Sequence, residues 1–61
     1  MRNQNRIQGI CDRLAKLWAR VPDWRLAQLI SNLVDKDPFY MEDDDFIKML
    51  EDNMDKLMGN N

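Results

Sequence analysis

Gln4–Val21 reads QNRIQGICDRLAKLWARV. Its apolar residues are Ile7, Ile10, Cys11, Leu14, Leu17, Trp18 and Val21, separated by steps of 3, 1, 3, 3, 1 and 3. Steps of three and four repeat at the helical period, and over two heptads they make an a/d seam. A strand would alternate every second residue, and no such alternation is present. The stretch therefore predicts an amphipathic helix over residues 4–21, with Pro22 ending it, because proline disfavours helical geometry in the residue before it. Gly9 weakens the helix by about 1 kcal/mol relative to Ala.

From there the chain repeats the same logic twice. Pro22-Asp23 is a turn, with Asp23 as a candidate N-cap, and Trp24–Val34 (WRLAQLISNLV) places Leu26, Leu29, Ile30, Leu33 and Val34 on one face. A second helix over 24–34, packed beside the first, is expected. Asp35-Lys36-Asp37-Pro38 breaks the pattern, and Phe39, Tyr40 and Met41 are expected to form a short turn that drops its aromatics onto the core. Glu42-Asp43-Asp44-Asp45 opens a third helix, since carboxylates in a first turn complement the positive helix N-terminus. Phe46, Ile47, Leu50, Met54, Leu57 and Met58 continue it over 44–58, and Gly59 is a natural stop. The fold class is all-α, a small three-helix domain over residues 1–61, with Asn60 and Asn61 expected to fray.

Sixty-one residues with a single cysteine make a small core and no intrachain disulfide. Without histidine or paired cysteines a structural zinc site has no ligands. Oligomerisation is the stabilising device left, so a homo-oligomer packed through the apolar seams of helices 1 and 3 is expected. No apolar run approaches a membrane span, and the polar start MRNQNRIQG does not read as a signal peptide, so the reading is cytoplasmic.

The formal net charge of −2 conceals a division: residues 1–34 carry six cations and two anions, residues 35–61 three cations and nine anions. Arg2, Arg6, Arg13, Lys16 and Arg20 fall within roughly a quarter of the circumference of helix 1, and Gly9 lies on the same stripe. Two readings follow. The halves attract one another, within a chain or between protomers, or the stripe binds an anion. Arginine suits phosphate because its planar fork bonds two oxygens at once, and a glycine among arginines lets a ligand approach the backbone. Trp24, at the first turn of helix 2, is the aromatic expected to stand exposed and able to stack. The candidate binding set is Arg6, Arg13, Arg20, Trp24 and Arg25. No catalytic residues, metal ligands or cofactor are expected: Cys11 has no histidine to activate it, and the D-x-[DN]-x-[DN]-G calcium pattern is absent.

Trp18-x3-Pro22-Asp23-x-Arg25-x-x-Gln28-Leu29-Ile30-x-Asn32, followed by Asp37-Pro38-Phe39-Tyr40-x-Glu42-Asp43, resembles a pattern in short uncharacterised proteins of Gram-positive bacteria, their prophages and phages. The resemblance covers about two-thirds of the chain. It implies a phage or prophage origin, and with it inhibition of a host process or of antiphage defence, but carries no site residues. Three mechanisms are then open to a non-enzymatic protein acting in the host cytoplasm. It sequesters a small phosphorylated or nucleotide signal in an oligomer cleft; it binds a host protein directly; or it binds nucleic acid, against which the acidic isoelectric point of 4.8 argues.

Overall fold

The computed structural model describes residues 4–59, and these form three helices with no strand among them: α1 (Asn5–Ala19), α2 (Leu26–Leu33) and α3 (Asp43–Leu57). Arg2, Asn60 and Asn61, to which the sequence reading assigned roles, lie outside the described residues. The three-helix, all-α reading holds, with each helix starting or stopping within about two residues of the expected bound.

Helix α3 is the spine. Both α1 and α2 pack on it, and they touch one another less than they touch α3. Helices α1 and α2 were expected to pack side by side, and α3 is instead the main neighbour of each. Short connections bring helix ends together, but the larger apolar face, on α3, decides where each helix lies. Leu17 and Val21 from the α1 region, Leu29 and Leu33 from α2, and Ile47, Met49, Leu50 and Met54 from α3 form the buried core. The seams of α1 and α3 thus meet within one chain instead of being reserved for an oligomer contact. Met49 lay outside the expected α3 stripe; it is buried because α3 has a helix on each of two sides.

The α1–α2 connection is tighter than a simple break. The N–H groups of Arg20 and Val21 donate to Leu17 and Trp18, and Trp24 N–H closes a turn onto the Val21 carbonyl at 3.0 Å. Asp23 is consumed inside this turn, so it does not cap α2. The cap position is Arg25, in extended geometry (φ −75°, ψ 156°), and its N–H donates to the Gln28 side chain at 3.1 Å. That reach back from the third helical residue is half of a capping box, and it starts α2 at Leu26. At the other end of α2, the Asn53 side chain donates to the Leu33 carbonyl at 2.6 Å and to Asp35 at 3.1 Å. A side chain of α3 thereby satisfies a carbonyl that the end of α2 leaves open.

Asp43, Asp44 and Asp45 occupy the first turn of α3 and Lys56 its last, both in keeping with the helix dipole. Gly59 follows with φ +76°, the left-handed geometry that favours glycine after a helix end. The expected placement of the 38–41 aromatics is overturned. Phe39 is 78 % exposed and Tyr40 90 %, while Met41 packs against the core in their stead. Met41 N–H donates to the Pro38 carbonyl at 3.0 Å, which puts Phe39 and Tyr40 at the tip of a turn. The two central residues of a turn point away from the chain that the turn closes.

Candidate functional site

The basic stripe of α1 faces a row of carboxylates on α3. Arg6 pairs with Asp43, and Arg20 with Asp55 at 2.8 Å. Arg13 makes a two-pronged contact with Glu51, through Nη2 at 2.7 Å and Nε at 3.2 Å, with Asp44 at 3.7 Å from its other terminal nitrogen. The order of these pairs shows that α1 and α3 run parallel. Arginines seven residues apart return to the same helix face, and positions 43, 44, 51 and 55 share the side of α3 that meets it. Of the two readings of the divided charge, attraction within the chain is the one the geometry displays.

Glu51, chiefly by hydrogen bonding and further by its charge, raises the Arg13 guanidinium above its ordinary value; desolvation opposes this and Asp44 adds to it. A cation with a raised pKa loses its contribution only as pH climbs through that raised value. For arginine this lies above any ordinary working range, so Arg13 stays charged throughout.

An anion approaching Arg13 therefore meets a resident competitor. Glu51 is tethered at hydrogen-bonding distance, with the high effective concentration that tethering confers. The cleft beside it is lined by Arg13, Lys16 and Arg20 on one wall and by Glu51, Asp52 and Asp55 on the other. Three carboxylates face three cations, which leaves little net field for a phosphate. Lys16 is the stripe's one cation without an ion pair among the described residues. Gly9 is exposed, and nothing lies within 4 Å of where its Cβ would stand.

The remaining candidates fall elsewhere. Trp24 is half-buried against the core, and its carbonyl accepts the Trp18 indole N–H at 2.7 Å. Its ring is a packing element more than an open stacking platform. Arg25 is exposed at the α2 cap position, outside the ladder of ion pairs. The structure brings Arg6, Arg13 and Arg20 together along one helix–helix seam and leaves Trp24 and Arg25 at the α2 end.

The turn expected at residues 38–41 is present, but its aromatics stand in solvent and were not among the candidate binding residues. Phe39 and Tyr40 stand edge to face, ring centroids 4.8 Å apart at 84°. Asp37 accepts the Phe39 N–H at 3.0 Å, so the turn is held from its own first residues. The groove beside it holds Asp35, Asp45 and Asp52 against Lys36, Lys48 and Lys56. The Asp-Lys-Asp-Pro spelling of residues 35–38 marked a turn, but nothing in a run of three apolar residues says which of them turns inward. Among the described residues, no group of three or more His, Cys, Asp or Glu is placed to hold a metal ion, and no helix is long and apolar enough to cross a membrane. Comparison with protein-family models, with curated proteins and with solved structures finds no match for this chain.

Proposed function

We propose that this chain is a non-enzymatic binding module that grips another protein through the turn at Pro38–Met41, with Phe39 and Tyr40 as its anchors. The observation that carries the reading is their exposure, 78 % and 90 %, on a turn fixed by two hydrogen bonds. Large aromatics are the side chains that most often dominate protein interfaces, and a ring already held in place loses little freedom on binding. The mixed-charge groove alongside supplies the polar rim such contacts have. The resemblance to phage and prophage proteins makes a host protein, including an antiphage defence component, the first partner class to screen.

Sequestration of a nucleotide signal by the arginine stripe is the competing reading. It requires the ligand to displace Glu51 and its neighbours, and the ion-pair ladder counts against it. One experiment separates the two. Immobilised wild type and a Phe39→Ser/Tyr40→Ser variant are compared for stoichiometric capture from host lysate, and thermal shift is recorded with a panel of nucleotides and dinucleotides. A protein retained by wild type and lost by the variant supports the turn. Capture indifferent to the turn would overturn it. A nucleotide that raises the melting temperature of wild type, but not of Arg13→Glu, would put the stripe in its place.

A further inference from the structure

Helix α1 carries two heptad series, and the core covers one more fully than the other. Ile10, Leu14, Leu17 and Val21, spaced 4, 3 and 4, lie against the core. One position round the helix, Ile7, Cys11, Leu14 and Trp18 repeat the same spacing and share only Leu14 with the first. This second series is covered only in part: Leu14 and Trp18 reach the core, but Ile7 is 52 % exposed, Cys11 is exposed and Trp18 is only half-buried. Ala15 and Ala19 widen it, and with Trp18 and Pro22 they line a shallow hollow that is almost wholly apolar. Gln8 and Asp12, hydrogen-bonded to one another at 2.8 Å, are the polar residues at its edge. The arginine stripe lies on the opposite flank of α1, tied to α3, so the arginines stay clear of the strip and Asp12 is the charge that borders it, in a chain whose residues are 33 % charged.

We propose that two copies of this chain pair through this flank of α1, helix against helix and antiparallel about a two-fold axis. The strip is complementary to itself. Two-fold pairing brings a surface onto its own copy, so each bulky position must meet a recess elsewhere on the same strip. With the axis near residue 13, position i of one copy faces position 26 − i of the other. Ile7 then meets the hollow at Ala19, and Cys11 meets Ala15. Antiparallel helices also oppose their dipoles favourably. An interface of standard size takes about 800 Å² from each partner, roughly a sixth of the 4894 Å² this chain exposes, and α1 offers about 22 Å of length for it. A chain whose buried core is eight side chains among the described residues, without a disulfide, is the kind that gains most from a second core. This surface is separate from the Pro38–Met41 turn, and the proposal stands or falls independently of it.

Sedimentation equilibrium under reducing conditions, from micromolar to millimolar chain, tests the pairing. Wild type is expected to reach twice the 7.3 kDa of one chain. Cys11→Glu and Ala15→Glu, both at exposed positions, are expected to stay monomeric with wild-type helicity by circular dichroism; Phe39→Ser/Tyr40→Ser is expected to dimerise unchanged. In a Cys11→Ser background, Ile7→Cys/Ala19→Cys is expected to give covalent dimers on mild oxidation. A wild type that is monomeric throughout would overturn the proposal, as would a dimer that survives both glutamates or is lost with the turn variant. Ready Cys11–Cys11 cross-linking of wild type without a 7–19 cross-link would mean parallel helices, and would overturn the arrangement.

Discussion

Asn53 is the side chain whose loss should be felt furthest from where it sits. Its Nδ2 donates to the Leu33 carbonyl at 2.6 Å and to Asp35 at 3.1 Å, so one amide fastens both the end of α2 and the start of the following loop to α3. Both neighbours are acceptors, which fixes the amide orientation. Asn53→Ala removes two hydrogen bonds and leaves a part-buried carbonyl open, a loss of about 1–2 kcal/mol. For a chain of this length, each kcal/mol moves the melting temperature by about 8 °C, so a fall of about 8–16 °C is expected. Asn53→Asp should be worse than Ala, because an acceptor then faces two acceptors and turning the carboxylate offers only another oxygen. Adding Asp35→Asn to Asn53→Asp should recover part of the loss, by reversing donor and acceptor in the 3.1 Å contact. Thermal circular dichroism at fixed chain concentration reads all four proteins. A melting temperature for Asn53→Asp equal to wild type, or no recovery in the double variant, would refute this account of the clamp.

Leu50, fully buried on α3, should lose about 3 kcal/mol on truncation to Ala and melt more than 20 °C lower, whereas Tyr40→Ala should shift by only a few degrees; differential scanning calorimetry compares them. Gly9→Ala should stabilise by about 0.5–1 kcal/mol, since the position is helical and a Cβ there meets nothing, and a lower melting temperature would show that the helix is not as described. Reversing charge at Glu51 (Glu51→Arg) should lower the melting temperature more than Asp52→Arg. Glu51 faces Arg13 across the seam, while Asp52 pairs with Lys48 of its own helix. The gap should narrow in molar salt, where charges are screened within about 3 Å.

Much of the helical architecture was legible because the apolar steps of 3 and 4 in residues 7–21 and 46–58 are local signals. What eluded the sequence was which side of each helix finds a neighbour. Six apolar positions on α1, with Val21 just beyond its end, span about a third of the helix circumference, and α3 does not cover all of that arc. Leu17 and Val21 proved central, while Ile7 and Cys11 were left in solvent. Both sets of charges were visible too, but their meeting depends on α1 and α3 lying side by side, which no local pattern states. The start of α2 eluded it because two capping devices competed. Asp23 is the better cap residue in isolation, yet the turn closing on Val21 had already used it, and Gln28 served instead.

The parallel course of α1 and α3 is itself not explained by their charges. Run α1 the other way and Arg6 would approach Asp55, Arg13 would still find Glu51 and Arg20 would approach Asp43, so opposite charges meet in either direction. Exposed pairs of this kind contribute little to stability in any case. What sets the direction is the route back. The chain leaves α1 beside the C-terminal part of α3, as the Arg20–Asp55 pair shows, and α2 ends there as well, held at Asn53. Asp43 lies ten helical residues away, about 15 Å along α3. Residues 34–42 span that distance without being stretched, at up to about 3.3 Å each. An antiparallel α3 would have to start where α2 ends, leaving those nine residues to fold back on themselves with Met41 drawn out of the core it packs against. The ladder therefore acts downstream of the connection. It joins two helices already parallel, and in doing so it occupies the arginines that the sequence alone also allowed as an anion site.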